Sequence, residues 1–381
     1  MDMRWLLIGL HEFKGLGRRS IARLMKEGML TEEMFHFNSK DWENFGFSVE
    51  LSERLANELT VDYVRRKQEE QEQQEQQEQQ EQRSGTRIIT ILDDHFPALL
   101  KESPDPPQVL YAMGDASLLH VPSVAMVGTR VPTAYGRKMG ADLAQGLCAG
   151  GLAIVSGLAR GIDSICHDAA LLCGGGTIAV MATGADIIYP PENKSLFAKI
   201  AENGLVVTEY PPGTRPHPGL FPQRNRIIAG LSLGTIVVEA DEWSGSLITA
   251  DLALDAGRDV FAVPGQANSP KCRGTLNLIR QGAKMACSAA DVLEEYDSWL
   301  PNGHKNTYNR ERQAKEAAES AAGHLTTDEL ELYHILEQGP FTLDELLQHS
   351  RWDFGHLHSV LLSLIIKKQI TQLPGAIYKM I

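Results

Sequence analysis

The sequence predicts an α/β protein with a Rossmann-like parallel sheet core, a small helical N-terminal domain and a C-terminal winged-helix domain. Three observations support this prediction. Apolar runs of strand length recur through residues 87–300 and mostly alternate with stretches of helical length. Residues 1–67 carry apolar side chains at helical spacing. Residues 325–381 contain start signals for three helices, followed by a short hairpin.

Residues 1–67 are interpreted as a helical domain of the SAM or helix-hairpin-helix type. Apolar residues recur at helical spacing around Ile21 and around Leu55. The segment 14–21 resembles a helix-hairpin-helix turn, whose glycines expose N–H groups that hold a phosphate at a helix start. Plain helical packing is the alternative. Residues 68–86 are rich in Glu and Gln, so they form either a solvated linker or an exposed helical extension.

The central region, residues 87–300, is expected to form the parallel sheet. Helical stretches lie between most of its apolar runs from Val124 onward, which is the βαβ pattern of a sheet covered on both faces. Ligands bind such sheets beyond the carboxyl ends of the strands. The predicted strands are Ile88–Leu92, Val109–Ala112, Val124–Val127, Ala153–Val155, Ile178–Ala182, Leu205–Val207, Ile236–Val238 and Val260–Val263.

The C-terminal region begins with a second predicted linker, residues 301–324, which is polar and alanine-rich. In residues 325–381, Thr326 or Thr327 can cap a first helix, Thr342 a second, and Asp353 starts a third. A hairpin around Pro374-Gly375 completes the winged-helix pattern. Such a domain binds either DNA or a protein, and the sequence leaves both open.

Composition limits the classes of function. The net charge of −13 appears wrong for a DNA-binding protein, but six glutamates lie in residues 68–82 alone. Between Ser123 and Glu239 there are nine Lys or Arg against eight Asp or Glu, so the core is nearly neutral. We find no signal peptide and no apolar stretch long enough to span a membrane, and we expect a cytoplasmic protein. The five cysteines form no C-x-x-C pair, so we expect reduced thiols and no metal or cofactor.

Three segments that follow predicted strands are candidates for nucleic-acid binding. In the first, Gly128-Thr129-Arg130, glycine allows a tight turn and arginine offers a planar donor for phosphate. The second, Ser156-Gly157-Leu158-Ala159-Arg160-Gly161-Ile162-Asp163, precedes a helix and suits a cradle of N–H groups for phosphate, with Asp163 as the helix cap. A purely structural turn is the alternative for this second segment.

The third segment is Phe221-Pro222-Gln223-Arg224-Asn225-Arg226. Two arginines beside an aromatic residue suit a single strand, since cations follow the backbone while an aromatic ring stacks on a base. In the alternative interpretation the arginines form ion pairs with carboxylates such as Glu209 or Glu239. Motifs of P-loop, α/β-hydrolase and zinc-protease enzymes are missing from the sequence, and we identify no catalytic residue.

These segments resemble the DNA-processing protein A family (DprA/Smf). The resemblance covers residues 88–298 and includes Gly128-Thr129-Arg130, Ser156–Asp163, Tyr189-Pro190, Glu209–Thr214, Phe221–Ala229 and Val263-Pro264-Gly265. It implies a non-enzymatic homodimer that binds and protects incoming single-stranded DNA and loads the RecA recombinase onto it during natural transformation. Family members often carry a cation shortly before the Phe of the third segment, whereas this sequence offers only Arg215 or His217.

By this resemblance, the nucleic-acid-binding residues are expected to be Gly128, Thr129, Arg130, Ser156, Gly157, Arg160, Gly161, Phe221, Arg224, Asn225 and Arg226. The alternative function is that of a nucleotide phosphoribohydrolase-like enzyme acting on nucleoside monophosphates. That group carries a P-G-G-x-G-T-x-x-E motif, of which this chain keeps Gly234-Thr235 and Glu239 but lacks the paired glycines.

Overall fold

The computed structural model describes residues 2–80, 85–300, 326–337, 339–350, 352–367, 369–373 and 377–380. The predicted linker 301–324 and the hairpin turn at Pro374-Gly375 lie outside these residues. The chain divides into two compact units, Met1–His304 and Lys305–Ile381. Among the described helices, none combines the length and the apolar character that crossing a bilayer requires.

A nine-stranded sheet forms the centre of the first unit, in the order β1-β2-β6-β5-β4-β3-β7-β8-β9. The strands from β3 to β9 run parallel to one another, while β2 pairs antiparallel with both β1 and β6. The strands are β1 Thr86–Thr90, β2 Val109–Gly114, β3 Ser123–Val127, β4 Ala153–Ser156, β5 Thr177–Met181, β6 Leu205–Thr208, β7 Gly234–Val237, β8 Asp259–Ala262 and β9 Lys284–Met285.

The helices between the parallel strands follow the predicted βαβ pattern, so the predicted α/β class is confirmed. Strands β3 to β7 are buried along their whole length, as expected of a sheet covered on both faces. The helices of the sheet region are α6 Ala98–Lys101, α7 Ala134–Ala149, α8 Ile162–Leu172, α9 Lys194–Asn203, α10 Leu220–Leu231, α11 Gly245–Asp255, α12 Arg273–Arg280 and α13 Ala289–Leu293.

The topology positions a ligand site. The chain builds β4, β5 and β6 on one side of β3 and then crosses to β7 on the other side. Open α/β sheets bind ligands at such a switch point, outside the carboxyl ends of the strands. The loops that follow β3, β4 and β7 all leave the sheet at this edge.

Five helices precede the sheet in the same unit: α1 Met3–Glu12, α2 Arg18–Lys26, α3 Ser39–Asn44, α4 Val49–Glu58 and α5 Val61–Gln80. They share one apolar cluster with Ile88, Val109 and Tyr111 of the first two strands. Helix α5 continues through the predicted boundary at residue 67 and through most of the Glu/Gln-rich segment. The sequence left a solvated linker and a helical extension open for that segment, and in the structure it is helical as far as Gln80.

The second unit contains α14 Thr327–Leu336, β10 Phe341–Thr342, α15 Leu343–Ser350, α16 Phe354–Ile366, β11 Ile370–Leu373 and β12 Ile377–Met380. Its strands form a small sheet in the order β10-β12-β11 beside its own apolar cluster. Thr326 caps α14, and the Asp353 carboxylate accepts a hydrogen bond from the His356 N–H at 3.0 Å. Lys367 forms an ion pair with Glu329 at 2.6 Å, which offsets one of the cations at the end of α16.

Candidate nucleic-acid interface

A small pocket of about 50 Å³ lies at the carboxyl ends of β3, β4 and β5. The loop after β3 contributes Arg130, the loop after β4 contributes residues 157–160, and the segment after β5 contributes Tyr189 and Pro190. Helix α10 adds Phe221 and Arg224 from its first turns. The lining residues are Arg130, Gly157, Ala159, Arg160, Tyr189, Pro190, Phe221 and Arg224. The pocket thus unites parts of all three predicted segments.

Arg224 forms the buried cationic wall of this pocket. It lies three residues after Phe221, so both side chains occupy the same face of α10. Its Nη1 donates to the Gly157 carbonyl at 2.6 Å and to the Val180 carbonyl. Burial lowers the pKa of the Arg224 guanidinium to about 10, so the group stays charged at neutral pH. Its Nη2 makes no hydrogen bond to the described residues, which leaves this donor available to an anion.

Gly157 is required for this arrangement. A Cβ at this position would lie 2.7 Å from the Arg224 guanidinium, closer than carbon atoms approach. Any side chain at residue 157 would therefore displace the arginine. The glycine contributes by its lack of a side chain, rather than by the free N–H group that the sequence suggested.

Two N–H groups of the loop after β4 are already occupied, which argues against the predicted phosphate cradle. The Asp163 carboxylate accepts hydrogen bonds from the Gly157 N–H at 3.0 Å and from the Ala159 N–H at 3.4 Å. Burial raises the pKa of Asp163, while the nearby Arg224 opposes that shift. Leu158 has a φ of 53°, an unusual conformation for a residue other than glycine. Asp163 thus holds this strained loop closed.

The aromatic side of the pocket comprises Phe221 and Tyr189. Their ring centroids lie 5.5 Å apart, and the Arg130 guanidinium lies 6.0 Å from the Phe221 ring. Tyr189 is 42% exposed and Arg130 is also exposed, so both can contact a ligand. The sequence analysis included Tyr189 in the family resemblance but not among the binding residues. An aromatic ring beside a Pro after a strand was the only local signal for it.

Four predicted residues support the pocket without lining it. Ser156 is fully buried and donates to the Met126 carbonyl at 2.6 Å, so it joins β4 to β3. The Thr129 N–H donates to the Glu239 carbonyl at 2.7 Å. Gly128 and Gly161 permit close packing at the carboxyl edge of the sheet, since a Cβ on either would collide with a neighbouring residue. These residues fix the position of Arg130.

Arg226 lies outside the pocket, against the prediction. It pairs with Glu209 and, through Nε at 3.3 Å, with Asp105, which also pairs with Arg18 of α2. The side chains of Arg226 and Glu209 are 9% and 2% exposed. This is the ion-pair alternative of the sequence analysis, and it holds for one of the two arginines. The network connects α10 to the N-terminal helices.

Asn225 supports the pocket without lining it, whereas Arg160 lines the pocket but is already paired. The Asn225 side-chain oxygen accepts a hydrogen bond from Arg224 Nε at 3.2 Å, so it orients the arginine without lining the pocket. Arg160 lines the pocket but forms an exposed ion pair with Glu192. Exposed ion pairs are weak, so an anion can compete with Glu192 for Arg160.

Fold and site together define a Rossmann-like α/β protein with a cationic, aromatic pocket at the carboxyl edge of its sheet. The chain belongs to the DNA recombination-mediator protein A family, whose model matches residues 87–297. A second model, of the DprA winged helix domain, matches residues 316–376. The predicted membership of the DprA/Smf family and the predicted winged helix are confirmed.

Individual relatives agree with this assignment. The Protein Smf of Synechocystis is 37% identical over 317 residues, which cover 77% of this chain and 80% of that protein. The X-ray structure of DNA processing protein A from Streptococcus pneumoniae has 36% identity and a TM-score of 0.66, covering 77% of this chain and 97% of that one. A Helicobacter pylori DNA processing protein A structure, described by its single-stranded DNA binding mode, has 34% identity and a TM-score of 0.52. It covers 57% of this chain and 100% of that one.

Proposed function

We propose that this protein binds single-stranded DNA, protects it on entry and loads the RecA recombinase onto it during natural transformation. The observation that carries the DNA-binding part is the pocket in which Arg130 and Arg224 face Phe221 and Tyr189. Guanidinium groups suit phosphates, and the aromatic rings offer stacking faces to unpaired bases. The Helicobacter pylori relative described by its single-strand binding mode supports the same ligand.

We propose no catalytic activity for this protein. The alternative is an enzyme of the nucleotide phosphoribohydrolase type, with Glu239 in its active site. In the described chain, however, no Lys or Arg lines the cavity that contains Glu239, so the cavity offers no cationic side chain to the substrate phosphate. Release of free base from nucleoside monophosphates would establish the alternative.

The homodimer and the recombinase contact rest on the family resemblance. For the dimer we propose the surface around residues 276–293, which includes the edge strand β9. Met285 on this strand is 54% exposed, and edge strands offer unpaired backbone groups to a second chain. Light scattering tests the dimer, and RecA filament formation on single strands with and without the protein tests loading. We also propose the cytoplasm as the place of action.

The deciding experiment compares single-stranded and double-stranded DNA of equal length by fluorescence anisotropy over a range of salt concentrations. We expect the single strand to bind more tightly. For single strands, log K should fall with log salt by about 0.7 for each phosphate contacted. Equal affinity for both forms, or an affinity independent of salt, would contradict the proposal.

A further inference from the structure

Trp243, in the loop after β7, is the most exposed large apolar side chain among the residues that the structure describes, at 92%. The tryptophans of the N-terminal helices show the usual behaviour, since Trp5 and Trp42 are 9% and 0% exposed. Tryptophan buries most of its ring in folded proteins, and a ring that stays in solvent is typical of a contact surface. The exposure of Trp243 therefore requires a functional explanation.

The backbone that carries Trp243 is held in place, although its ring projects into solvent. The Asp241 carboxylate accepts the Trp243 N–H at 3.1 Å, and the Asp241 carbonyl accepts the Ser244 N–H at 3.2 Å. The Gly274 N–H donates to the Ala240 carbonyl at 2.9 Å, which joins the same loop to α12. A ligand that packs on the ring does not have to order the loop first, so the entropic cost of binding is small.

Trp243 lies at the edge of the sheet that carries the DNA pocket. It precedes α11, whereas Phe221 of the pocket lies in the first turn of α10, and these two helices pack against each other. Both helices start at the carboxyl edge, so their first turns are neighbours. Packed helices lie about 8–10 Å apart, a distance that a few stacked nucleotides cover at about 3.4 Å each. The hydrogen bond from the Thr129 N–H to the Glu239 carbonyl also ties the loop after β7 to the loop of Arg130.

The charges around Trp243 permit the approach of a DNA strand. Neither α10 nor α11 carries an acidic residue in its first turn, so the positive ends of both helix dipoles lie at the edge that the strand would follow. Glu242 pairs with Arg273 at 3.8 Å, and the Asp241 carboxylate accepts a backbone N–H, so both acidic groups are partly compensated. Trp243 itself carries no charge, so it can add affinity by stacking but not by neutralising a phosphate.

We propose that Trp243 is a second stacking platform for single-stranded DNA, which binds a base a few nucleotides away from the base at Tyr189 and Phe221. Such a platform extends the single-strand site along the edge of the sheet, so it depends on the proposed function. Every base has a flat aromatic face, and the platform therefore adds affinity without sequence preference. A partner protein would use the same exposed ring, and the position beside the DNA pocket is what favours a base.

Fluorescence anisotropy of the full chain with oligothymidines of about 4 to 16 nucleotides tests the platform. Strands long enough to pass both sites should bind Trp243→Ala about 5- to 150-fold more weakly than the unchanged protein, the loss expected for one stacked base. The shortest strands, which fill only the pocket, should bind both proteins equally. The salt slope should not change, because no phosphate contact is lost. Trp243→Phe keeps an aromatic ring and should recover most of the affinity.

Trp299→Ala is the matched control. Trp299 is 52% exposed, and its N–H donates to the Tyr296 carbonyl at 2.9 Å. The Tyr296 hydroxyl in turn donates to Asp259 at the start of β8, so Trp299 lies near the amino edge of the sheet, opposite the pocket. Trp299→Ala should bind strands of every length like the unchanged protein. Because the Trp243 ring is almost fully exposed, Trp243→Ala should also keep the Tm of the unchanged protein.

The length series separates a failure of this platform from a failure of the proposed function. If Trp243→Ala binds long strands like the unchanged protein, or loses as much affinity for the shortest strands as for the longest, the platform is refuted while the single-strand site stands. Normal DNA binding together with weaker binding to RecA would assign the ring to a protein contact and refute it as well. If the unchanged protein binds no strand of any length, the proposed function itself fails.

Discussion

Replacing Arg226 by methionine should destabilise the fold rather than remove a DNA contact. Methionine keeps most of the side-chain volume but removes the charge that faces Glu209, whose side chain is 2% exposed. One oxygen of Glu209 already lacks a hydrogen-bond partner. Breaking a buried ion pair by removing one partner costs about 3–5 kcal/mol, because the other charge stays buried without compensation.

The expected loss is large enough to measure by heating. For a unit of this size, 1 kcal/mol corresponds to roughly 2 °C in Tm, so we expect a fall of about 6–10 °C. Calorimetric melts of the full chain provide the measurement. Arg137→Met is the matched control, because Arg137 is exposed on α7 and forms no ion pair with the residues that the structure describes.

The DNA-binding readout separates the two roles of Arg226. Below the melting range, Arg226→Met should bind single strands with nearly the affinity of the unchanged protein. If the variant melts within about 1 °C of the unchanged protein and yet loses most of its affinity, Arg226 contacts DNA and the assignment to a structural ion pair is wrong.

Three further predictions concern the pocket and its support. Arg130→Ala should weaken single-strand binding and reduce the salt slope by about 0.7 without lowering Tm, and an unchanged slope would exclude a phosphate contact. Tyr189→Ala should cost about 1–3 kcal/mol of binding if one base stacks there, measured against Phe354→Ala, an exposed aromatic in the second unit. Burial and the nearby Arg224 lower the pKa of His167 to about 3, so the unfolded chain binds more protons below pH 6.5. The free energy of unfolding in urea should therefore fall by about 2 kcal/mol between pH 7 and pH 5. This pH dependence should be lost in His167→Gln.

The sequence predicted the parallel strands well because buried strands are short, continuous apolar runs. The predicted Val124–Val127 and Ala153–Val155 differ from β3 and β4 by one residue at one end. Strand β9, Lys284–Met285, was missed because two residues, one of them charged, give no apolar run. The antiparallel pairing of β1 and β2 was also not foreseen, since strand direction depends on how the connecting chain returns to the sheet.

The sequence predicted which segments form the candidate site, but it did not predict what each residue does there. Contacts between residues distant in sequence decide those roles. Asp105 lies 121 positions before Arg226, and no local pattern indicates their pairing. Ser156 and Arg224 both lie in motifs that suggest DNA binding. The Ser156 hydroxyl, however, donates to a neighbouring strand, whereas the Arg224 guanidinium lines the pocket. The direction of a side chain at the end of a strand is set by packing that the sequence does not display.

The pocket geometry also gives a physical reason to expect preference for single strands. Carbonyl groups of Gly157 and Val180 hold Arg224 in place, so a phosphate must approach this buried charge. Tyr189 and Phe221 lie beside it and present ring faces close to the approaching backbone. In a duplex both faces of each base are already stacked, and the phosphates lie on the outside of the helix. Only an unpaired base can rotate onto these rings while its own phosphate reaches Arg224. The pocket should therefore bind a strand whose bases are free to rotate outward more tightly than a duplex.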